Sequence, residues 1–213
     1  MLKASAMFFH SPKSTFPTIC FCAWIDIERN NISLNEIIPH YFMAADILIN
    51  DDDGFIINGL IVILDFKDVS LKHLLQFHIP TIIKYFHIVQ NAYFIRIKAV
   101  CVINAPSVVD TMFKMCEIVF SEKLKQRIYI YKKENTHKLF DIVPKSLLPE
   151  EYGGEAGSLN ELSGMWKKKL ESYAEWFKED EKYKSVEALR LGRPKTYSDV
   201  FGQEGSFRQL NFD

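Results

Sequence analysis

An α/β domain is the fold class that this sequence predicts, and three observations predict it. Residues 56–66 (IINGLIVILDF) are almost uninterrupted aliphatic sequence, the mark of a strand covered on both faces. Residues 99–104 (AVCVIN) are a second such run, and residues 128–131 a third. Segments of helical periodicity separate them, and strands alternating with helices define this architecture. At 213 residues the chain can form one domain with a full core, followed by a tail.

Each element can be justified in order. Residues 1–15 show no readable period, so the start is expected to lack regular structure. Residues 19–27, rich in Ile, Phe and Trp, read as a strand. Ser33 with Glu36 three positions later has the form of a capping box. The helix it opens carries Ile37, Tyr41, Ala44, Ala45 and Leu48 on its apolar side, with Pro39 expected in the first turn, where proline is tolerated. Asn50 to Gly54 (NDDDG) reads as a turn, with Asp53-Gly54 supplying a positive φ. Three adjacent carboxylates suggest a metal or acid–base site, but no calcium-loop spacing follows them. Residues 71–77 and 81–90 read as two helices separated by Pro80.

Residues 107–121 carry the clearest pattern. Asp110, Lys114, Glu117 and Ser121 fall in one polar stripe, and the rest of the surface is apolar. Such a helix is buried around most of its circumference. Periodicity leaves two readings open: a core helix, or a lid whose Met and Phe side chains close over varied apolar shapes. Residues 166–184 read as a charged amphipathic helix with Trp166, Leu170, Tyr173 and Phe177 on one face. From residue 185 onward the chain reads as a polar tail.

Composition narrows the function classes. With 48% hydrophobic and 25% charged residues the chain is globular rather than disordered. A formal net charge of −1 gives no overall attraction to nucleic acid, so any basic site is local. The 17 Phe residues suit either a bulky core or an apolar cavity. Cys20 and Cys22 lack the spacing of a zinc site, and the four cysteines read as reduced thiols. The six histidines form no metal-ligand pair, and there is no nucleophile elbow and no phosphate-binding lysine loop. Gly153-Gly154-x-x-Gly157 follows a Pro-Glu-Glu-Tyr segment rather than a buried strand and reads as a turn. No apolar run reaches the ~18–20 residues of a membrane span, and residues 16–27 lack a signal-peptide cleavage pattern.

Several stretches together resemble the CRAL-TRIO lipid-binding family. They are Asn58-Gly59, Leu64-Asp65, Val102-Ile103-Asn104-x-Pro106, Phe120-Ser-Glu-Lys-Leu-Lys-x-Arg127-Ile, and Leu147-Leu-Pro-Glu-Glu-Tyr-Gly-Gly154, with Gly205-Ser206-Phe207-Arg208 in the tail. Within that family they are similar to the branch of alpha-tocopherol transfer protein-like proteins, clavesins and cellular retinaldehyde-binding protein. The resemblance spans roughly residues 20–213. It implies a mixed, curved sheet flanked by helices, forming an apolar pocket closed by a gate helix, with residues 107–121 at the gate. It implies residues 19–184 as the lipid-binding domain and 185–213 as a C-terminal tail. Such proteins usually begin with a small helical lobe. Here residues 1–18 stand in its place, an atypical or disordered N-terminus.

The resemblance implies a pocket lined by Leu60, Leu64, Tyr85, Ile88, Val89, Tyr93, Ile95, Val100, Val109, Met112, Phe113 and Cys116. It implies a phosphoinositide headgroup site at Arg96, Lys98, Lys123 and Arg127. Arg96 and Lys98 alternate with Ile95 and Ile97 and should project together from an extended segment. Lys123 and Arg127, four apart, should share a helix face. The expected function is non-enzymatic binding and transfer of a tocopherol-, retinoid- or phospholipid-like molecule. No cofactor, metal or nucleic acid is expected. The partners are the hydrophobic ligand and a phosphoinositide-containing membrane, and the location is cytoplasmic, peripheral to membranes, as a monomer. A lipid-acting α/β hydrolase and a degenerate interaction module without ligand are the rival readings.

Overall fold

The computed structural model describes residues 5–9, 15–23, 34–67, 69, 79–186 and 189–193. Two compact units divide the chain, residues 1–173 and 174–213. The first unit is built on one five-stranded sheet in the order β1-β2-β3-β4-β5. These strands are Ser5–Phe9, Thr18–Ala23, Leu60–Asp65, Ile97–Ile103 and Ile128–Ile130. β1 pairs antiparallel with β2, and the other four strands are parallel, so the sheet is mixed as expected.

The helices of this unit are α1 (Leu34–Asp51), α2 (Asp53–Asn58), α3 (Ile79–Asn91), α4 (Ser107–Cys116), α5 (Glu122–Lys125) and α6 (Leu159–Ser172). The second unit contains α7 (Ala174–Asp180). Parallel strands laid side by side in sequence order need a crossover at every step. Crossovers of one hand, all moving in one direction, place their helices on one face of the sheet. The buried clusters agree. Cys20, Cys22 and Leu60 pack with Ala44 and Leu48 of α1, and Val100 and Val102 pack with Val109 and Phe113 of α4. The opposite face presents Ile19, Phe21, Ile61, Ile63, Cys101 and Ile103. It is covered by Leu139, Val143 and Leu148 from an irregular segment and by Leu159 and Leu162 of α6.

Several elements differ from expectation for identifiable reasons. Residues 5–9, which show no period, form β1, whose register is set by pairing with β2 rather than by its own pattern. Asp53 and Gly54 are helical, not a hairpin turn, and the aliphatic Ile56 and Ile57 belong to α2. The positive φ falls at Gly59 instead, at +85°. A Cβ there would lie 2.3 Å from the Arg96 carbonyl oxygen, so the close approach of the two chains requires glycine. Pro39 lies inside α1 beyond its first turn. Pro80 is the second residue of α3, where its missing N–H leaves no bond unmade. The polar stripe starting at Asp110 ends early. α4 stops at Cys116 and passes into a 3-10 turn (Glu117–Val119), while Ser121 caps α5. The long amphipathic helix is two helices, and the first opens earlier, at a Ser158–Glu161 capping box. Ser33 and residues 24–27 and 71–77 lie outside the described residues.

Candidate ligand cavity and basic groove

Between the sheet and its helical layer lies a cavity of about 180 Å³. Its floor follows from strand parity, since residues two apart face the same way. Cys20 and Cys22 of β2 pair with Val62 and Leu64 of β3, and all four line it together with Leu60 and Val100. The walls are Tyr41, Phe42 and Ala45 of α1, Ile82, Tyr85, Phe86 and Val89 of α3, Tyr93 and Ile95 of the following connection, and Met112 and Phe113 of α4. Among the described residues, none that lines it is charged. The aromatic rings brace one another: Phe42 stacks on Tyr93 at 5.1 Å and meets Tyr85 at 5.6 Å. The Tyr93 hydroxyl donates to Asp46 Oδ1 at 2.8 Å, which fixes that ring.

Of the twelve residues expected to meet a ligand, nine line this cavity: Leu60, Leu64, Tyr85, Val89, Tyr93, Ile95, Val100, Met112 and Phe113. Ile88 does not, being 37% exposed on the outer side of α3. Val109 and Cys116 do not either. Both are buried in the solid cluster with Val102 and Leu124. Sequence reasoning missed Cys20, Cys22, Tyr41, Phe42, Val62 and Phe86. Val62 was within reach, because a strand that points Leu60 and Leu64 inward must also point residue 62 inward.

A glutamine fixes one end of the α4 segment. Gln90 Nε2 donates to the carbonyls of Phe86 at 3.1 Å and Val119 at 2.8 Å. Gln90 Oε1 accepts from the Ser121 N–H at 2.9 Å. These bonds tie the chain just after α4 to the end of α3. At its start α4 follows Pro106, with no side-chain cap.

Beside the cavity runs a groove of about 500 Å³ lined by Arg96, Lys123 and Arg127 with Gln90, Asn91 and Ser121, and among the described residues no carboxylate lines it. Arg127 Nη1 donates to the Ile97 carbonyl, which holds the guanidinium against β4. Lys98 does not line this groove, and a bulge explains why. Leu60 pairs with Ile97 but Ile61 pairs with Ala99, so Lys98 is an extra residue. The alternation that would bring Arg96 and Lys98 together is broken between them. Three clustered cations without a carboxylate suit a phosphate group.

A model of the CRAL/TRIO domain matches residues 3–154. The chain belongs to the CRAL-TRIO family. It is 31% identical over 149 residues to "Alpha-tocopherol transfer protein-like" of Homo sapiens, a match covering 68% of this chain and 43% of that protein. It is 26% identical over 137 residues to "Clavesin-1" of Rattus norvegicus, covering 64% of this chain and 37% of that one. The chain therefore spans less than half the length of these curated relatives. The crystal structure of Sfh5 matches with a TM-score of 0.58 at 12% identity, over 74% of this chain and 57% of that one, a likeness of fold.

Three of the residues by which this CRAL-TRIO chain resembles its family, Asp65, Asn104 and Tyr152, meet in space, away from the cavity. Asp65, at the end of β3, is 3% exposed and lies on the opposite face. Its Oδ1 accepts from the Lys67 N–H and from Asn104 Nδ2, each at 2.8 Å, and its Oδ2 accepts from the Tyr152 hydroxyl. Asn104 adopts a left-handed conformation with φ of 52° just after β4. The Tyr152 ring packs at 4.6 Å from Phe21. Gly154 completes the junction, since a Cβ there would lie 1.9 Å from the Leu148 carbonyl oxygen. One buried carboxylate thus joins two strand ends to the Pro-Glu-Glu-Tyr-Gly-Gly loop. All four cysteines are buried and unbridged. Among the described residues no helix is long and apolar enough to cross a membrane.

Proposed function

We propose that this chain binds one hydrophobic small molecule in the cavity and carries it between membranes without chemical change. The observation that carries this reading is a cavity whose lining, among the described residues, carries no charge. Burying apolar ligand surface there is favourable by about 25 cal/mol per Å². At about 180 Å³ the space slightly exceeds an engineered cavity of ~150 Å³ that holds benzene, and falls short of the ~300–1,000 Å³ of ordinary ligand sites. A tocopherol-, retinoid- or phospholipid-like ligand therefore needs the roof to move. α4 is the proposed gate: Met112 and Phe113 reach the cavity, and Met115 is 58% exposed, an apolar group available to a bilayer.

In this reading the protein is cytoplasmic and docks peripherally, with Arg96, Lys123 and Arg127 taking a phosphoinositide headgroup. The cycle needs no nucleophile, metal or cofactor, and a monomer performs it. A hydrolase would need a nucleophile and a base in the cavity, and among the described residues no histidine lines it. Cys101 faces the other side of the sheet, and burial pushes its thiol up to about 12, away from the reactive thiolate.

Mass spectrometry of lipids extracted from the purified full chain tests the reading. A stoichiometric hydrophobic ligand is expected. Its absence, together with no transfer of tocopherol, retinoid or phosphoinositide between vesicles, would overturn the carrier function. For the docking step, Lys123→Glu should weaken binding to phosphoinositide vesicles about tenfold while leaving vesicle-free ligand binding unchanged. Equal binding by the variant would remove the groove from the mechanism.

A further inference from the structure

The cavity has one polar end, and all of it is neutral. Cys20 and Cys22 face inward from β2 with their Sγ atoms 3.6 Å apart. Tyr41 of α1 hydrogen-bonds the Cys22 thiol. Tyr85 of α3 stands close enough to feel both thiols. Tyr93, the remaining hydroxyl, is already committed to Asp46. Among the described residues the Tyr85 hydroxyl has no hydrogen-bond partner, although its ring is held between Phe42 and Phe86. It is a donor aimed into an apolar space. Leaving such a group unpaired is unfavourable, and a ligand oxygen would supply the partner.

The same surroundings disfavour charge. The hydrogen bond with Cys22, and then burial, holds the Cys20 thiol well above its ordinary range. Burial does the same to the hydroxyls of Tyr41 and Tyr85. A site that resists ionising its own groups resists a ligand anion for the same reason, and among the described residues no lining cation offsets that resistance.

We infer that Tyr85, with Cys20, Cys22 and Tyr41, seats the single neutral oxygen of a lipid (a hydroxyl, carbonyl or ether), and that the cavity selects such lipids over carboxylates and phosphates. This rests on the cavity being the binding site, and it assigns the polar end of that site. An anionic headgroup would have to remain outside, at the groove.

Three probes that share one ring system test the inference on the full chain by fluorescence titration near neutral pH: 2-methylnaphthalene, 2-naphthylmethanol and 2-naphthoate. The alcohol should bind about tenfold more tightly than the hydrocarbon, the ratio of one well-made hydrogen bond. The ionised acid should bind more weakly than either. Tyr85→Phe should bring the alcohol down to the hydrocarbon's affinity, with a cooperative denaturant transition showing that the variant is folded. Cys22→Ser, which keeps a donor, should retain the alcohol preference. Equal affinity of wild type for alcohol and hydrocarbon overturns the seat while leaving the carrier function standing. Tight binding of the acid overturns the selection for neutral ligands. A Tyr85→Phe variant that weakens all three probes alike assigns Tyr85 to structure alone. Failure of all three probes to bind wild type overturns the cavity as a binding site, and the inference with it.

Discussion

The two faces of the sheet are covered in different ways, although the same strands build both. On one face Phe21, Ile63, Cys101 and Ile103 are wholly buried against short irregular turns and the first turns of α6. On the other, the same strands leave about 180 Å³ unfilled beneath three helices. The backbone is common to both, so the difference lies in the side chains. β2 turns Ile19 and Phe21 to the filled face and the smaller Cys20 and Cys22 to the cavity. The helices then set large rings against one another, Phe42 on Tyr93 and Phe86 on Phe120, instead of interdigitating with the floor. Small groups below and braced rings above keep a space open in an interior that would otherwise close-pack.

The largest test of this contrast is a pair of truncations on adjacent strands. Phe21→Ala should destabilise by about 4 kcal/mol, because it opens a void in a filled layer. Val62→Ala, beside space that already exists, should destabilise by about 1 kcal/mol. Denaturant midpoints measure both, and equal losses would mean that the faces are packed alike. Asp65→Ala comes next, at about 2 kcal/mol, since it leaves the part-buried Tyr152 hydroxyl and Asn104 amide without their acceptor. Because that junction lies on the filled face, affinity for an apolar probe in the surviving folded fraction should not change. Filling the cavity should act in the opposite direction: Ala45→Leu should stabilise by about 1 kcal/mol and abolish probe binding. Retained binding would place the ligand elsewhere.

The smallest effect concerns the surface tie between α1 and α6. The hydrogen bond from the Tyr173 hydroxyl, and then Lys169 at 3.0 Å, holds the Asp51 carboxyl below its ordinary value. A lowered folded pKa stabilises above the unfolded value and is lost as pH falls through the folded one. Asp51→Asn should therefore destabilise by less than about 1 kcal/mol at neutral pH. The difference from wild type should fade below about pH 4, read from thermal midpoints across pH. A difference that persisted in acid would assign the loss to something other than the charge.

Much of the fold is legible in the sequence because buried parallel strands must be aliphatic, and β3 and β4 announce themselves in that way, whereas β5, at the sheet edge, is only part-buried and leaves Tyr129 37% exposed. β1 does not, since a short antiparallel strand owes its place to its partner. The stretch Ile56-Ile57 misleads because one helical turn and a strand can use the same residues, and only Gly59, where two backbones touch, marks the real boundary. The cavity is half legible. Parity predicts its floor, but a helix that is apolar all round does not disclose which of its sides meets the void. That is why Met112 and Phe113 reach it while Val109 and Cys116 do not. The groove loses Lys98 because a bulge leaves no trace in a pattern of alternation.

The strand order has one more consequence, which concerns attachment. Among the described residues the sheet is held by backbone ladders running from β1 to β5, while the helices over the cavity rest on it through side chains. Raising α4 would break apolar contacts and the Gln90 clasp but no rung of that ladder. The first unit thus divides into a hydrogen-bonded chassis and a cover held by side chains, and small side chains at the seam would loosen the cover while leaving every strand pairing in place.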